Sequence, residues 1–266
     1  MTFQEKLRTA VEKNNSLLCV GLDTDPDRVP GGISVLEFNR AIIDATHDLV
    51  CAYKPNLAFY EVGGRKGMEA LDETLAHIPG DIPVIGDAKR GDIGNTAMYY
   101  ARALFDVLGF DAATVSPYLG YDSVEPFFRY VDKGVFLLCR TSNRSARDFQ
   151  DLKADGRPLY EHVALRALEW NAHNNLGLVV GATYPDELGR IRAMCPSLPL
   201  LIPGVGSQGG DLEAVVDHGL DASDAGTLIN VSRAVLYASS EADFAEAARE
   251  AAMSLRDRIN RRRATQ

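Results

Sequence analysis

Two hydrophobic patterns alternate along this chain. Short unbroken apolar runs, rich in Val, Ile and Leu, are separated by longer stretches whose apolar residues recur at steps of three and four. The first pattern marks buried strands and the second amphipathic helices. Residues 2–13 predict a lead helix. Residues 16–22 (SLLCVGL) predict a strand ending at Asp23, and 34–48 a helix with Ser34 as its cap and Leu36, Ile42 and Ile43 on its apolar face. A second strand at 50–53 ends at Lys54-Pro55, and 67–77 is a helix presenting Met68, Leu71 and Leu75. The third strand, 82–85, is closed by Gly86 and followed by a helix over 95–108. Then come strand 112–116, helix 123–133, strand 135–139, a polar loop over 140–156 and helix 159–172. A sixth strand at 176–181 leads to a helix over 185–195, with Thr183 as its cap and Pro185 in its first turn. Strand 198–202, helix 211–218, strand 227–231 and an Ala-rich helix over 241–263 complete the series.

Unbroken apolar runs are what parallel strands show when helices cover both faces of the sheet. Eight strand–helix alternations in 266 residues favour a (β/α)8 TIM barrel with an N-terminal lead helix, one domain spanning 1–266. An open doubly wound sheet is the less economical arrangement.

Composition is that of a globular chain, 46% apolar and 24% charged. The net charge of −9 disfavours a nucleic-acid backbone as partner but leaves room for a local basic pocket. Arg261, Arg262 and Arg263 fall at a predicted helix end, where they complement its dipole. The four cysteines make no C-x-x-C pair, and Cys19, Cys51 and Cys139 fall in or beside strands as small core residues. A reduced, cytoplasmic protein is expected. The first residues have mixed charge and no apolar core of a signal sequence. No run approaches the roughly 18 apolar residues of a membrane span, so no membrane partner is expected. The five histidines form no H-E-x-x-H pair, and a histidine metal site is not expected.

Catalytic groups of a barrel stand at the C-terminal ends of its strands. Here those ends carry Asp23, Lys54, Asp87, Lys89, Ser116, Thr141 to Asn143, Ala182-Thr183, Pro203 to Gly209 and Ser232-Arg233. The richest stretch is 82–93, IPVIGDAKRGDI. A strand period of 2 puts Asp87 and Lys89 on one face, with Asp92 in the loop beyond. Crowded charges shift one another's pKa and suit proton chemistry. An incidental ion pair on a solvated loop would explain D-x-K-x-x-D alone, but not four charges at the ends of three successive strands. Ser116 is explained as a turn cap.

The seventh loop, IPGVGSQGGD, matches G-x-G-x-x-G through Gly204, Gly206 and Gly209. Asp224 lies near the spacing a dinucleotide site requires, but the motif comes late in the chain. In a barrel, loops seven and eight commonly hold phosphate through backbone N–H groups. Arg233 supplies a guanidinium and Gln208 a further donor, so a phosphate monoester fits better than a dinucleotide. A lysine held between carboxylates stays protonated, which suits proton delivery to a carbanion and not Schiff-base formation. These residues point to a lyase or isomerase of a sugar phosphate that needs neither cofactor nor metal.

GLDTD, KPNLAFYE, DAKRGDI, PGVGSQGGD and NVSRAVLYAS together resemble the orotidine 5′-phosphate decarboxylase family, in its bacterial subfamily of similar chain length. The resemblance spans nearly the whole chain. It implies cofactor-free decarboxylation of orotidine 5′-phosphate to UMP in de novo pyrimidine biosynthesis. It assigns Asp23 to a ribose hydroxyl and Lys54, Asp87, Lys89 and Asp92 to a charged array. Lys89 would stabilise and protonate the C6 carbanion left by CO2, with Asp87 beside the departing carboxylate. Asp92 and Thr96 would come from the partner subunit, which implies a homodimer. Ser142 would read the pyrimidine, and Gln208 and Arg233 the phosphate, with Pro203 and Gly206 in the substrate-binding loop. One departure stands out. After Thr-Ser-Asn the family often has Pro-Gly, and here Arg144-Ser145 follows. That leaves the shape of this loop open, as is a phosphate contact from Tyr237. Rival readings are a Mg²⁺-dependent keto-gulonate phosphate decarboxylase or hexulose phosphate synthase, a non-catalytic nucleotide-binding barrel, and a dinucleotide dehydrogenase.

Overall fold

The computed structural model describes residues 1–206, 209–221 and 225–265. Eight parallel strands follow one another in chain order: β1 Leu18–Gly21, β2 Ala52–Lys54, β3 Ile85–Arg90, β4 Ala112–Val115, β5 Gly134–Arg140, β6 Leu176–Val180, β7 Leu200–Pro203 and β8 Thr227–Val231. Each pairs with its sequence neighbour, and β8 pairs with β1 through Leu18–Ile229 and Val20–Val231. Between β2 and β3 the ladder is reduced to bridges, Tyr53–Val84 and Asn56–Asp87, which close the barrel. Every residue of β1, β4, β6 and β8 is buried, as strands covered on both faces must be.

Local sequence accounts for several element ends. Thr2 and Ser34 each cap a helix, Phe3–Asn14 and Val35–Thr46, in a reciprocal box with Glu5 and Glu37. Each cap is worth about 1 kcal/mol. The lead helix lays Phe3 edge-on to Phe136 of β5, ring centres 5.7 Å apart, and seals the N-terminal end of the barrel. Gly134 makes that approach possible, since a Cβ there would stand 2.4 Å from the Phe3 ring. At the other end of the chain Arg262 pairs with Asp217, fastening the helix Phe244–Arg263 to the helix Leu212–Gly219.

Some expected bounds move, each for a physical reason. The third strand begins at Ile85, not Ile82, and runs through the charged residues to Arg90. Pro83 has no N–H to give, and the Val84 N–H goes to the Asp111 carboxylate at 2.9 Å in place of a ladder partner. The helix expected over 123–133 is broken into tight turns and one short helix, Glu125–Phe128, with Pro126 in its first turn. The loop after β5 holds a 3₁₀ turn, Arg144–Asp148, and a small hairpin pairing Lys153–Ala154 with Arg157–Pro158. Thr183 does not cap the helix Pro185–Met194: Tyr184 holds the N-cap position, and the Thr183 hydroxyl donates to the Ser142 carbonyl at 3.2 Å. Among the described residues no helix is long and apolar enough to cross a membrane.

Candidate active site

The C-terminal ends of β1, β2 and β3 bring their charges into one array. Asp87 is the hub. Its Oδ2 accepts from the Lys54 Nζ at 2.9 Å, and its Oδ1 accepts from the Lys89 Nζ at 2.6 Å and the Thr114 hydroxyl at 3.0 Å. Lys54 is also 3.6 Å from Asp23 Oδ1, whose other oxygen accepts from Ser232 at 2.7 Å. The two lysines differ in exposure. Lys54 is 3% exposed and boxed in, whereas the Lys89 side chain is 49% exposed toward the cavity.

Burial by itself pushes the Lys54 ammonium toward neutrality, but Asp23 and Asp87 outweigh it and raise its pKa above the ordinary lysine value. Burial likewise pushes Asp87 up, and the Lys54 and Lys89 ammoniums outweigh that, holding its carboxyl well below the usual carboxylate range. Lys54 and Asp87 therefore stay charged together at neutral pH. Among the described residues no group of three or more His, Cys, Asp or Glu is placed to hold a metal ion. Asp23 and Asp87 converge on an ammonium, that of Lys54.

The backbone at Lys89 is unusual. Its φ is +48°, in the left-handed region, where the β3–β4 register shifts between Gly86 and Arg90. The Lys89 N–H donates to the Thr114 hydroxyl at 3.0 Å, the same hydroxyl that donates to Asp87. Thr114 thus joins the backbone of one charged residue to the carboxylate of the other.

The array forms one wall of a cavity of about 690 Å³, a mononucleotide-sized space. The lining continues with Pro203, Gly204 and Val205 after β7, and with Ser232, Arg233 and Tyr237 after β8, the strand paired with β1. Gly204, Gly206 and Gly209 all have positive φ, at +103°, +78° and +84°, backbone conformations that favour glycine. Thr141, Ser142 and Asn143 close a third side. Gln150 secures them, accepting from the Thr141 N–H at 2.9 Å and donating to its hydroxyl at 2.8 Å. Beneath lies Arg140, 1% exposed, flat on the Tyr184 ring at 3.9 Å and paired with Asp151 at 3.2 Å. The loop is therefore closed from below without Pro-Gly after Asn143.

A sequence model of the Orotidine 5′-phosphate decarboxylase / HUMPS family matches residues 16–251. The chain belongs to this family. It is 56% identical over 264 residues to an orotidine 5′-phosphate decarboxylase of Dehalococcoides mccartyi, covering 98% of each chain. It is 54% identical over 269 residues to that of Thermomicrobium roseum, covering 98% of this chain and 96% of that one. The solved Leishmania donovani OMP decarboxylase is 45% identical and superposes with a TM-score of 0.88, covering 99% of this chain and 100% of that one.

Within the family frame, the structure brings together Asp23, Lys54, Asp87, Lys89, Ser142, Pro203 and Arg233 around one cavity. Asp92 and Thr96 do not line it. Asp92 turns its carboxylate back on the Ile93 N–H at 2.8 Å, and Thr96 is exposed on the helix Gly94–Arg102. Gly206 also stands off the cavity, its N–H donating to the Gly210 carbonyl at 3.2 Å. Gln208 and Asp224 lie outside the described residues. Several lining residues were given no role by the sequence reading, among them the polar Arg28, Asn56, Thr114 and Asn230. Thr114 and Asn230 were detectable as lone polar residues inside apolar strands, whereas Arg28 carried no signal of its own.

Proposed function

We propose that this enzyme decarboxylates orotidine 5′-phosphate to UMP in pyrimidine nucleotide synthesis, as a single cytoplasmic barrel domain. The observation that carries the reading is that the Lys54–Asp87–Lys89 array and Arg233 line one mononucleotide-sized cavity. The phosphate would sit between Arg233 and the loop of Pro203, with Gln208 adding a hydrogen bond. Asp23 would hold a ribose hydroxyl, and Ser142 would meet the pyrimidine edge. The orotate carboxylate would then lie against Asp87. Its repulsion is relieved as the C6–carboxylate bond breaks and CO2 leaves. The bond's electron pair stays on C6, where the Lys89 ammonium stabilises it and then transfers a proton to it. Lys89 regains that proton from water, so the sum is orotidine 5′-phosphate plus H⁺ giving UMP plus CO2. Lys54 keeps Asp87 ionised and in register throughout. No metal or cofactor takes part in this scheme.

We further propose that Asp92 and Thr96 complete the site of a second copy of the chain. The support is where they stand. They flank an exposed apolar face on which Ile93, Met98 and Tyr99 adjoin Tyr118, Leu119 and Tyr121, the helix Gly94–Arg102 packing on the turn Tyr121–Ser123. Exposed apolar surface of this kind is typical of an interface.

The test is CO2 release from orotidine 5′-phosphate with and without EDTA. Release that survives EDTA separates this reading from the Mg²⁺-dependent sugar-phosphate enzymes. Lys89→Ala should cut kcat by at least about 10³-fold, as losing a group that is both acid and charge stabiliser would, while UMP still binds. Near-normal turnover by that variant would remove Lys89 from its role.

A further inference from the structure

We propose that Arg28, in the turn after β1, is a second cation of the phosphate-binding wall, acting beside Arg233. This rests on the functional reading above and extends it to a residue with no place in that reading. Arg28 ends the short 3₁₀ turn Pro26–Arg28, whose start is fixed by the Asp25 carboxylate accepting from the Asp27 N–H at 3.0 Å. Its guanidinium lies over the Tyr237 ring, 3.7 Å from the centroid. That ring is itself held firmly. The Tyr237 hydroxyl accepts from the Asp25 N–H at 2.7 Å, the ring stacks on Phe38, and the Tyr237 N–H donates to the Arg233 carbonyl at 3.1 Å. One tyrosine therefore ties the turn bearing Arg28 to the turn bearing Arg233, and both arginines line the same cavity.

Charge pairing separates the four cations of the cavity into two kinds. Lys54 and Lys89 are neutralised by Asp23 and Asp87. Among the described residues, Arg28 and Arg233 have no carboxylate within ion-pair distance and no side-chain hydrogen bond. Two uncommitted guanidiniums match the dianionic charge of a phosphate monoester. Stacking suits Arg28 to this task. It occupies only the flat face of the guanidinium and leaves the N–H donors at its edge for the anion. A carboxylate partner would have competed with phosphate, and an aromatic face does not. The same geometry answers the phosphate question for Tyr237. Its hydroxyl is engaged by the Asp25 N–H, and it serves the anion as the platform beneath Arg28.

The test uses the full chain and three probes, inorganic phosphate, UMP and uridine, with binding measured by calorimetry. Arg28→Met should weaken UMP and inorganic phosphate by about tenfold or more, the loss of a charge-assisted hydrogen bond, and leave uridine unchanged. Arg28→Lys should recover part of the loss. Equal weakening of UMP and uridine would reduce Arg28 to a support for the Tyr237 turn and overturn the proposal. Unchanged phosphate and UMP binding would overturn it as well. If the wild-type chain released no CO2 from orotidine 5′-phosphate while Arg28→Met still weakened phosphate selectively, the decarboxylase reading alone would fall and the anion site would stand.

Discussion

Lys89 holds the most exposed charge of the array on the least comfortable backbone of its strand. A side chain at φ +48° costs about 1–2 kcal/mol relative to an ordinary conformation, and glycine escapes that cost. Two substitutions separate the strain from the charge. Lys89→Gly and Lys89→Ala both remove the ammonium, and the glycine variant should be more stable than the alanine variant by about 1 kcal/mol in urea unfolding. Equal stabilities would mean that no strain is held there. The charge of Lys89 and its neighbours was legible in the sequence, because D-x-K on a strand is a local pattern. The bulge was not, because it depends on β4 placing the Thr114 hydroxyl where it binds both the Lys89 N–H and Asp87. Arg28 was illegible for a similar reason. Its role comes from a ring more than two hundred positions away in the chain.

At the scale of elements, the loop after β5 carries Arg144-Ser145 after Asn143, where the resemblance led us to expect Pro-Gly. Its shape is set elsewhere. The Gln150 amide closes on Thr141 from one side, and buried Arg140 supports both against Tyr184. Gln150→Leu keeps the volume but removes both hydrogen bonds to Thr141, and the one that Gln150 accepts from Arg140 at 3.4 Å, freeing the segment that carries Ser142. We expect kcat/KM for orotidine 5′-phosphate to fall about tenfold while inorganic phosphate binds as before, since in the proposed function this loop meets the pyrimidine. Unaltered kcat/KM would show that the loop is held by other means. Element identity was largely readable here: β8 has the bounds the sequence predicted, and both capping boxes lie within four residues of chain. What failed was what tertiary partners decide. The Val84 N–H left the ladder for Asp111, and Thr183 left its helix for Ser142.

For the whole molecule, the proposed exchange of Asp92 between subunits can be read by mixing defects. Co-expressed Lys89→Ala and Asp92→Ala chains are each inactive in this reading. In a mixed dimer one site carries both defects and the other is intact, so random assembly should restore about one quarter of wild-type activity. No recovery, with mixed dimers verified, would place Asp92 in its own subunit's chemistry or outside it. The hydrogen bond from Ser232 to Asp23 has a consequence of another kind, in time. It joins the end of the first strand to the end of the last, across 209 positions of chain. As the chain leaves the ribosome, Lys54, Asp87 and Lys89 are all present before half of it has been made. Arg233, the carboxylate clasp on Asp23 and the strand that closes the barrel arrive only near the end. If the array and Arg233 act as proposed, a nascent chain carries its charged groups through most of its synthesis with no means of gripping a nucleotide, and gains substrate and enclosure in one late step.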